Sequence, residues 1–351
     1  EWTKGQIAYP NLSGNKDIAE RALAYVREVK RHYLDVTVKV RQQGELLSKQ
    51  IRGNSLAVMG NLPEREFIHA PEIHKRIERI VPRLEEMMFG QDPALRVRGR
   101  REMTKKQATT ILAFMLWQQD AGDLDELIQP AIRSMLTYRF SMYHIWWDRQ
   151  FDWRVVREVN REFVDGRNEW TSKRTHARVL TYDGPRWKLV DPTNAILDVR
   201  HLLEDDMDFI GHESDATWRE LKTSEEMGFI ANVDQIEPGT SSIYQEQEKR
   251  ARSFTPESIS ANGRPVNGPR NTRITTLFGR WDLLGDGVER ECMFVVANDS
   301  TVLRVSENIY DDKIRPYACG VASKDGFEFF GGVGPLDPAL KLNNSLDKLR
   351  T

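Results

Sequence analysis

The chain has 351 residues, 39% hydrophobic and 30% charged, and its 51 basic and 53 acidic side chains leave a formal charge of −2. That balance describes a folded protein with ample core material and excludes a strongly cationic nucleic-acid wrapper. The longest apolar run, Ile111 to Trp117, is far short of the roughly 18 residues a membrane-spanning helix needs.

The chain opens on polar sequence, Glu1-Trp2-Thr3-Lys4, without a secretory leader pattern, and the absence of an initial Met points to a cut end. From Asp17 to about Gln43, Ile18, Ala22, Val26, Val29, Tyr33, Val36 and Val40 recur every three or four residues, which predicts a long helix capped by Asn15 or Asp17. A second helix opens at Pro71 and carries Ile73, Ile77, Ile80, Leu84 and Met87, with Pro82 expected to kink it before Phe89-Gly90. Leu95 to Arg98 alternates like a strand. Thr104 caps a third helix through Ile111 to Leu116, and a fourth runs from Leu124 to about Phe140.

At Ser141 the character changes. Residues 142–147, 153–156, 178–182 and 187–190 are aromatic and β-branched, and Asp-Gly pairs at 165–166 and 183–184 predict turns between them, hence an antiparallel sheet. Ser214 is expected to cap a short helix at 216–221, and Ser241 or Ser242 a polar one from Tyr244 to about Phe254. Between Thr255 and Arg273 eight Pro, Gly or Asn residues predict a mobile loop. Residues 274–284, 289–297 and 301–305, separated by Gly285-Asp286-Gly287 and Asn298-Asp299, read as a three-strand meander, expected to project as a separate small module. A last helical pattern runs from Leu336 to Thr351 and stops without a terminator, so more protein is expected to follow.

Charge is zoned: residues 1–110 carry a net +7, 111–240 a net −9, and 241–351 none. The two cysteines, Cys292 and Cys319, are too few for a disulfide framework and are expected to be free thiols.

Tests for chemistry return little. Gly331 to Gly334 precedes a helix but lacks the Lys-Ser/Thr pair of a phosphate loop, so a flexible turn accounts for it better. His69 and His74 lack zinc-pair spacing. Trp146, Trp147, Trp153, Trp170 and Trp187 alternate in strands, which favours core packing over base stacking. Glu204, Asp205, Asp206 and Asp208, with His201 and His212 nearby, offer hard oxygen donors for a divalent metal, and a metal-dependent nuclease or phosphoesterase built on them is the rival reading. A solvated acidic turn explains the same residues, and no metal or cofactor is expected.

The order of elements resembles the portal, or head-to-tail connector, proteins of tailed bacteriophages, most closely the podovirus kind. The residues that carry it are Ile77 to Leu84 with Met88-Phe89-Gly90, then Tyr138 to Asp148 ending in Trp147-Asp148, then Val190 to Asn194 followed by Asp208 to Ile210 and Thr217 to Leu221. The last stretch is Phe329 to Gly332 leading into Pro335 to Thr351. Where the family usually has Tyr-Gly, Tyr138-Arg139 stands here.

The resemblance implies an α+β, portal-like chain without catalysis of its own. Its parts would be a helical and antiparallel-β wing at 1–240, a first stem helix at 241–258, a small β-rich clip at 259–335 and a truncated second stem helix at 336–351. It implies a virion protein assembled in the bacterial host cytoplasm. There it forms a homo-oligomeric ring, usually of twelve subunits, at the unique capsid vertex. Double-stranded DNA passes through the ring in packaging and ejection, and the terminase large subunit, head-completion or adaptor proteins, and capsid and scaffolding proteins are its partners. Zero net charge in 241–351 suits a duct through which DNA slides, because each fixed phosphate contact adds affinity and drag. On the stem helices, Lys249, Arg250, Arg252, Lys341, Lys348 and Arg350 are the candidates for facing DNA or the neighbouring subunit. Lys341 and Lys348 share a helix face, and a 16-residue helix supplies about 24 Å of duct.

Overall fold

The computed structural model describes residues 10–51, 72–89, 97, 104–164, 167–201, 206–236, 271–310, 313–322, 334 and 336. Helix α1 (Lys16–Ile51) starts where Asn15 accepts a bond from the Asp17 amide through its side chain and from Ala19 through its carbonyl. Its stripe is buried at Ala22, Val26, Val29 and Tyr33, but the predicted Val36 is 49% exposed and Thr37 is buried in its place, and the helix continues past Gln43 because Leu47 is buried in a second cluster. Helix α2 (Glu72–Phe89) turns Ile73, Ile77 and Val81 inward and contains Pro82. Helix α3 (Lys105–Ala121) is opened by a capping box between Thr104 and Gln107. Helix α4 (Leu124–Tyr138) buries Ile128, Ala131, Ile132 and Leu136 and ends at Arg139, whose left-handed φ of 72° swings the chain into the first strand.

Strands β1 (Phe140–Val164) and β2 (Arg167–Val190) form one long antiparallel ribbon closing at Val164 and Arg167. The turn expected at 165–166 lies outside the described residues, and the one expected at 183–184 does not occur. Asp183 and Gly184 lie inside β2, opposite Arg149 and Asp148, and Asp183 accepts bonds from Trp147 Nε1 (2.6 Å) and Arg149 Nε (3.0 Å). The four predicted short strands are therefore two long ones, interrupted by a bulge at Thr181, whose hydroxyl donates to the Gln150 carbonyl.

β3 (Ala195–Leu197) and β4 (Phe209–Thr217) follow, then α5 (Trp218–Glu226) and a 3₁₀ turn at Val233–Gln235. The α5 cap is Thr217 with Glu220 and not Ser214, because Ser214 to Thr217 remain paired in β4. β5 (Asn271–Trp281), β6 (Arg290–Ala297) and β7 (Thr301–Glu307) are the predicted meander, and β8 (Tyr317–Val321) closes the described fold.

The sheets run β2-β1-β8 and β3-β4-β5-β6-β7, antiparallel throughout. The meander is thus not a separate module. β5 pairs with β4 along nine residues, so strands on either side of residue 240 share one sheet, and Asn271 to Arg273 belong to a strand rather than to the predicted loop. The physical reason is burial: Ile274, Leu277 and Phe278 of β5 complete a core with Ile210 of β4, Phe294 and Val296 of β6, and the α1 stripe. Each such side chain contributes about 1.5–3 kcal/mol on leaving water. Leu47, Ile77, Val81, Ile132, Leu136 and Leu336 form the second core between α1, α2 and α4. The architecture is mixed helix and antiparallel sheet, in agreement with the α+β expectation.

Candidate functional site

Lys249, Arg250, Arg252, Lys341, Lys348 and Arg350 lie outside the described residues, as do the predicted strand at 95–98 (Val97 apart), the polar helix from 244, the loop at 255–270, the glycine run apart from Gly334, and the final helix beyond Leu336. His69, Glu204 and Asp205 lie outside them too.

The two described members of the acidic run, Asp206 and Asp208, diverge. Asp206 is exposed, whereas Asp208 turns toward Asp198, a buried residue just after β3 that sequence reasoning did not single out. Arg200 bridges the two carboxylates, at 2.8 Å from Asp198 and 2.7 Å from Asp208. Burial pushes the Asp198 pKa up, but bonds from the Arg200 side chain and from the backbone amides of Arg200 and Asp208 outweigh it, leaving Asp198 below the usual carboxylate range. His201 sits 3.8 Å from Asp198. Asp198, His201 and Asp208 bring their donor atoms within 4.8 Å of one another. A divalent ion there would have to displace Arg200, so the guanidinium already supplies the positive charge this pair requires.

His212 is drawn away from the acidic run altogether. It points from β4 into the junction of the two sheets, buried, with Nδ1 2.8 Å from the hydroxyl of Tyr317 on β8. His144 of β1 packs on it with ring centroids 4.7 Å apart, and Tyr317 lies 5.3 Å from His144. Burial, followed by the nearby Lys188 charge, lowers His144 to about 4. Burial, then His144 and Lys188, lowers His212 to about 3. Burial raises the Tyr317 phenol well above its ordinary value. All three groups are neutral at pH 7, so they form a structural joint with no poised acid or base. Three strands distant in sequence supply them, and no spacing rule could have brought them together.

Other groups read the same way. Lys30 of α1 pairs with Glu213 and Asp299, and Arg273 holds Glu213 at 2.7 Å, which fastens α1 across the five-stranded sheet. Neither cysteine is in a disulfide, and burial pushes the Cys292 thiol up to about 12, so it is a poor nucleophile. A groove of about 430 Å³ between α1, α2, α4 and the end of β2 is lined by Ser48, Ile77, Arg133, Thr137 and Asp191, and Arg133 at its edge is held by Glu78 in a two-point pair.

The surface is more telling. Helix α3 exposes Ile111, Phe114, Met115 and Trp117, with Phe114 and Trp117 each 51% exposed and stacked on one another at 5.9 Å. The signal was in the sequence as the longest apolar run, which does not confine itself to one face. Trp147, expected in the core, is exposed on the ribbon, while Trp146 and Trp187 are half-buried.

Among the described residues the exposed apolar side chains gather on a helix and on the long ribbon. The family model described as phage SU10 portal protein matches residues 63–332, most of the chain. The chain belongs to this family of tailed-phage portal proteins. No curated protein matches it. The portal match starts after α1 and takes in α2 to α5 and all eight strands, so it covers both sheets and the histidine joint. No helix among the described residues of this portal protein is long and apolar enough to cross a membrane.

Proposed function

We propose that this portal protein forms a closed ring at one capsid vertex, conducts double-stranded DNA during packaging and ejection, and presents a docking face to the terminase large subunit and later to head-completion or adaptor proteins. The observation that carries the reading is the family match over both sheets. The zero net charge of residues 241–351 supports a duct that lets DNA slide, and the +7 and −9 zones support neighbour-to-neighbour contacts between unlike patches.

The stem assignment, 241–258 and 336–351, remains part of this proposal, with Lys249, Arg250, Arg252, Lys341, Lys348 and Arg350 facing DNA or the adjacent subunit. Because strands 271–321 are built into the same two sheets as the preceding strands, we assign them to the wing. A clip would then come from residues between the stem segments that lie outside those sheets.

Imaging purified full-length particles by negative stain tests the proposal. Rings with a central opening are expected, and a homogeneous solitary subunit under assembly conditions would overturn it. Incubating duplex DNA with the protein and Mg²⁺ or Mn²⁺ tests the rival at the same time: intact DNA is expected, whereas the nuclease reading requires cleavage that is lost in Asp206→Ala.

A further inference from the structure

Two surfaces of this chain carry exposed apolar side chains, the second among exposed charges such as Asp152, Arg154 and Arg174, and they are unlike one another. The first is the side of α3 that carries Ile111, Phe114, Met115 and Trp117. The helix is about 25 Å long, and its two half-exposed aromatic rings leave on the order of 100 Å² each in water. With Ile111 and Met115 the patch falls within the 300–600 Å² of the largest apolar patches on ordinary monomers, which are often functional.

The second surface is the outer ribbon. β8 pairs with β1 only from Phe140 to His144, and near the ribbon's base Tyr143 donates to the Leu127 carbonyl and Trp187 lies against Gly122. Beyond the bulge, β1 and β2 pair with each other alone among the described residues, out to Val164 and Arg167. That outer part is about 45 Å long at 3.3 Å per residue. Val155 is 57% exposed and Leu180 47% exposed on it. A two-stranded hairpin by itself is at best marginally stable in water, and its open edges invite another chain.

We propose that the outer ribbon of one subunit lies along α3 of the next copy of this chain. The contact is heterologous, the kind that closes a ring, and such a contact needs two different patches on every subunit, which this chain supplies. A chain's own ribbon does not serve its own α3, because Phe114 and Trp117 stay half-exposed with the ribbon in place. Over the roughly 25 Å of α3 a two-stranded face about 10 Å wide offers about 250 Å², so the contact buries about 500 Å² in all, below the size of a stable specific interface. A single pair is therefore weak. A closed ring makes the contact twice per subunit, so assembly proceeds to closure without a stable dimer. This inference rests on the ring reading above and names the surface that would build it.

The test compares wild type with two full-length surface variants, Phe114→Asp/Trp117→Asp on α3 and Val155→Asp/Leu180→Asp on the ribbon, by mass photometry. Circular dichroism and thermal melting check that each folds. Wild-type rings and at least a tenfold loss of ring in both variants, with unchanged melting, are expected. In a second arm, a Phe114→Cys chain is mixed with a Val155→Cys or Leu180→Cys chain and oxidised, and covalent dimers joining the two chains are expected. Rings that persist in both surface variants overturn the contact and leave the ring reading standing. Crosslinks confined to a single chain carrying both cysteines also overturn the contact, because the ribbon would then be covering its own helix. A wild type that forms no ring overturns the ring reading itself.

Discussion

Acid should loosen the junction between the two sheets before it reaches most carboxylates. His144 and His212 are neutral in the fold, with pKa values lowered to about 4 and about 3, and an unfolded histidine titrates near 6.5. Both folded values lie below the unfolded one, so at any pH under about 6.5 the unfolded chain binds protons that the native joint refuses. Stability is complete above that value, falls as the pH drops toward 4, and levels off below the folded pKa values. At pH 5 each histidine accounts for about 1.5 pH units of deficit, or about 2 kcal/mol, and the pair for about 4 kcal/mol of a total that for most domains is about 5–15 kcal/mol. Among the described residues no counter-charge at the joint relieves this. Lys188 adds a positive charge, and Tyr317, whose phenol stays protonated, offers no counter-charge. Chemical denaturation at pH 7 and pH 5 measures the loss, and a His144→Phe/His212→Gln variant should lose about 4 kcal/mol less between the two, with about two fewer protons taken up on unfolding at pH 5. Equal losses in wild type and variant, or imidazoles that titrate near 6.5 by NMR, would refute the reasoning.

Further outcomes follow from other contacts. Asp198→Asn removes the carboxylate that anchors Arg200 and accepts from the Arg200 and Asp208 amides, and should cost about 2–3 kcal/mol in denaturant melts at pH 7. Because the folded Asp198 pKa is depressed, that contribution should shrink as the pH falls through the folded value, so that wild type and variant converge in acid. Gly211→Ala would drive a Cβ into the Thr276 carbonyl and to 2.8 Å from the Leu277 Cα. Backbone cannot step aside there, so the melting temperature should fall by several degrees or soluble yield should collapse. If the +7 and −9 zones help subunits meet, ring mass measured at low and high salt should show weaker assembly at high salt, and identical mass would dismiss that contribution.

What the sequence disclosed was whatever local chemistry decides. The α1 stripe, the Thr104 cap, Pro82 inside α2 and the meander of β5 to β7 all follow from spacing within a few residues. Asp183-Gly184 misled for the same reason. It is a turn signal locally, and the cross-strand ladder, with Trp147 and Arg149 donating to Asp183, holds it extended. The joining of β4 to β5 across some fifty intervening residues, and the meeting of His144, His212 and Tyr317, depend on pairings between segments that no local pattern couples. The Arg200 bridge was hidden because the acidic run beside it dominated the local charge, while its decisive partner, Asp198, lies outside that run. The exposed side of α3 escaped for the opposite reason, since an apolar run reads as core until the fold shows its side chains half-exposed.

The position of α1 bears on how such a subunit could carry mechanical load. The helix is about 54 Å long at 1.5 Å per residue, and it belongs to both hydrophobic clusters, through Ala22, Val26, Val29 and Tyr33 at one end and Leu47 at the other. Near its N-terminal half Arg21 donates to the Asp282 carbonyl and Lys30 pairs with Glu213 and Asp299, so the five-stranded sheet is fastened to it on several strands. Near its C-terminal half Gly44 lets the Tyr138 ring lie directly against the backbone, and Arg41 donates to the Thr193 carbonyl. Displacing α2 and α4 relative to the sheets would therefore require breaking one cluster or bending the helix, because packed cores shift between discrete arrangements and do not deform continuously. A spine of this kind resists shear between the two cores, so load applied to one is passed to the other through the helix.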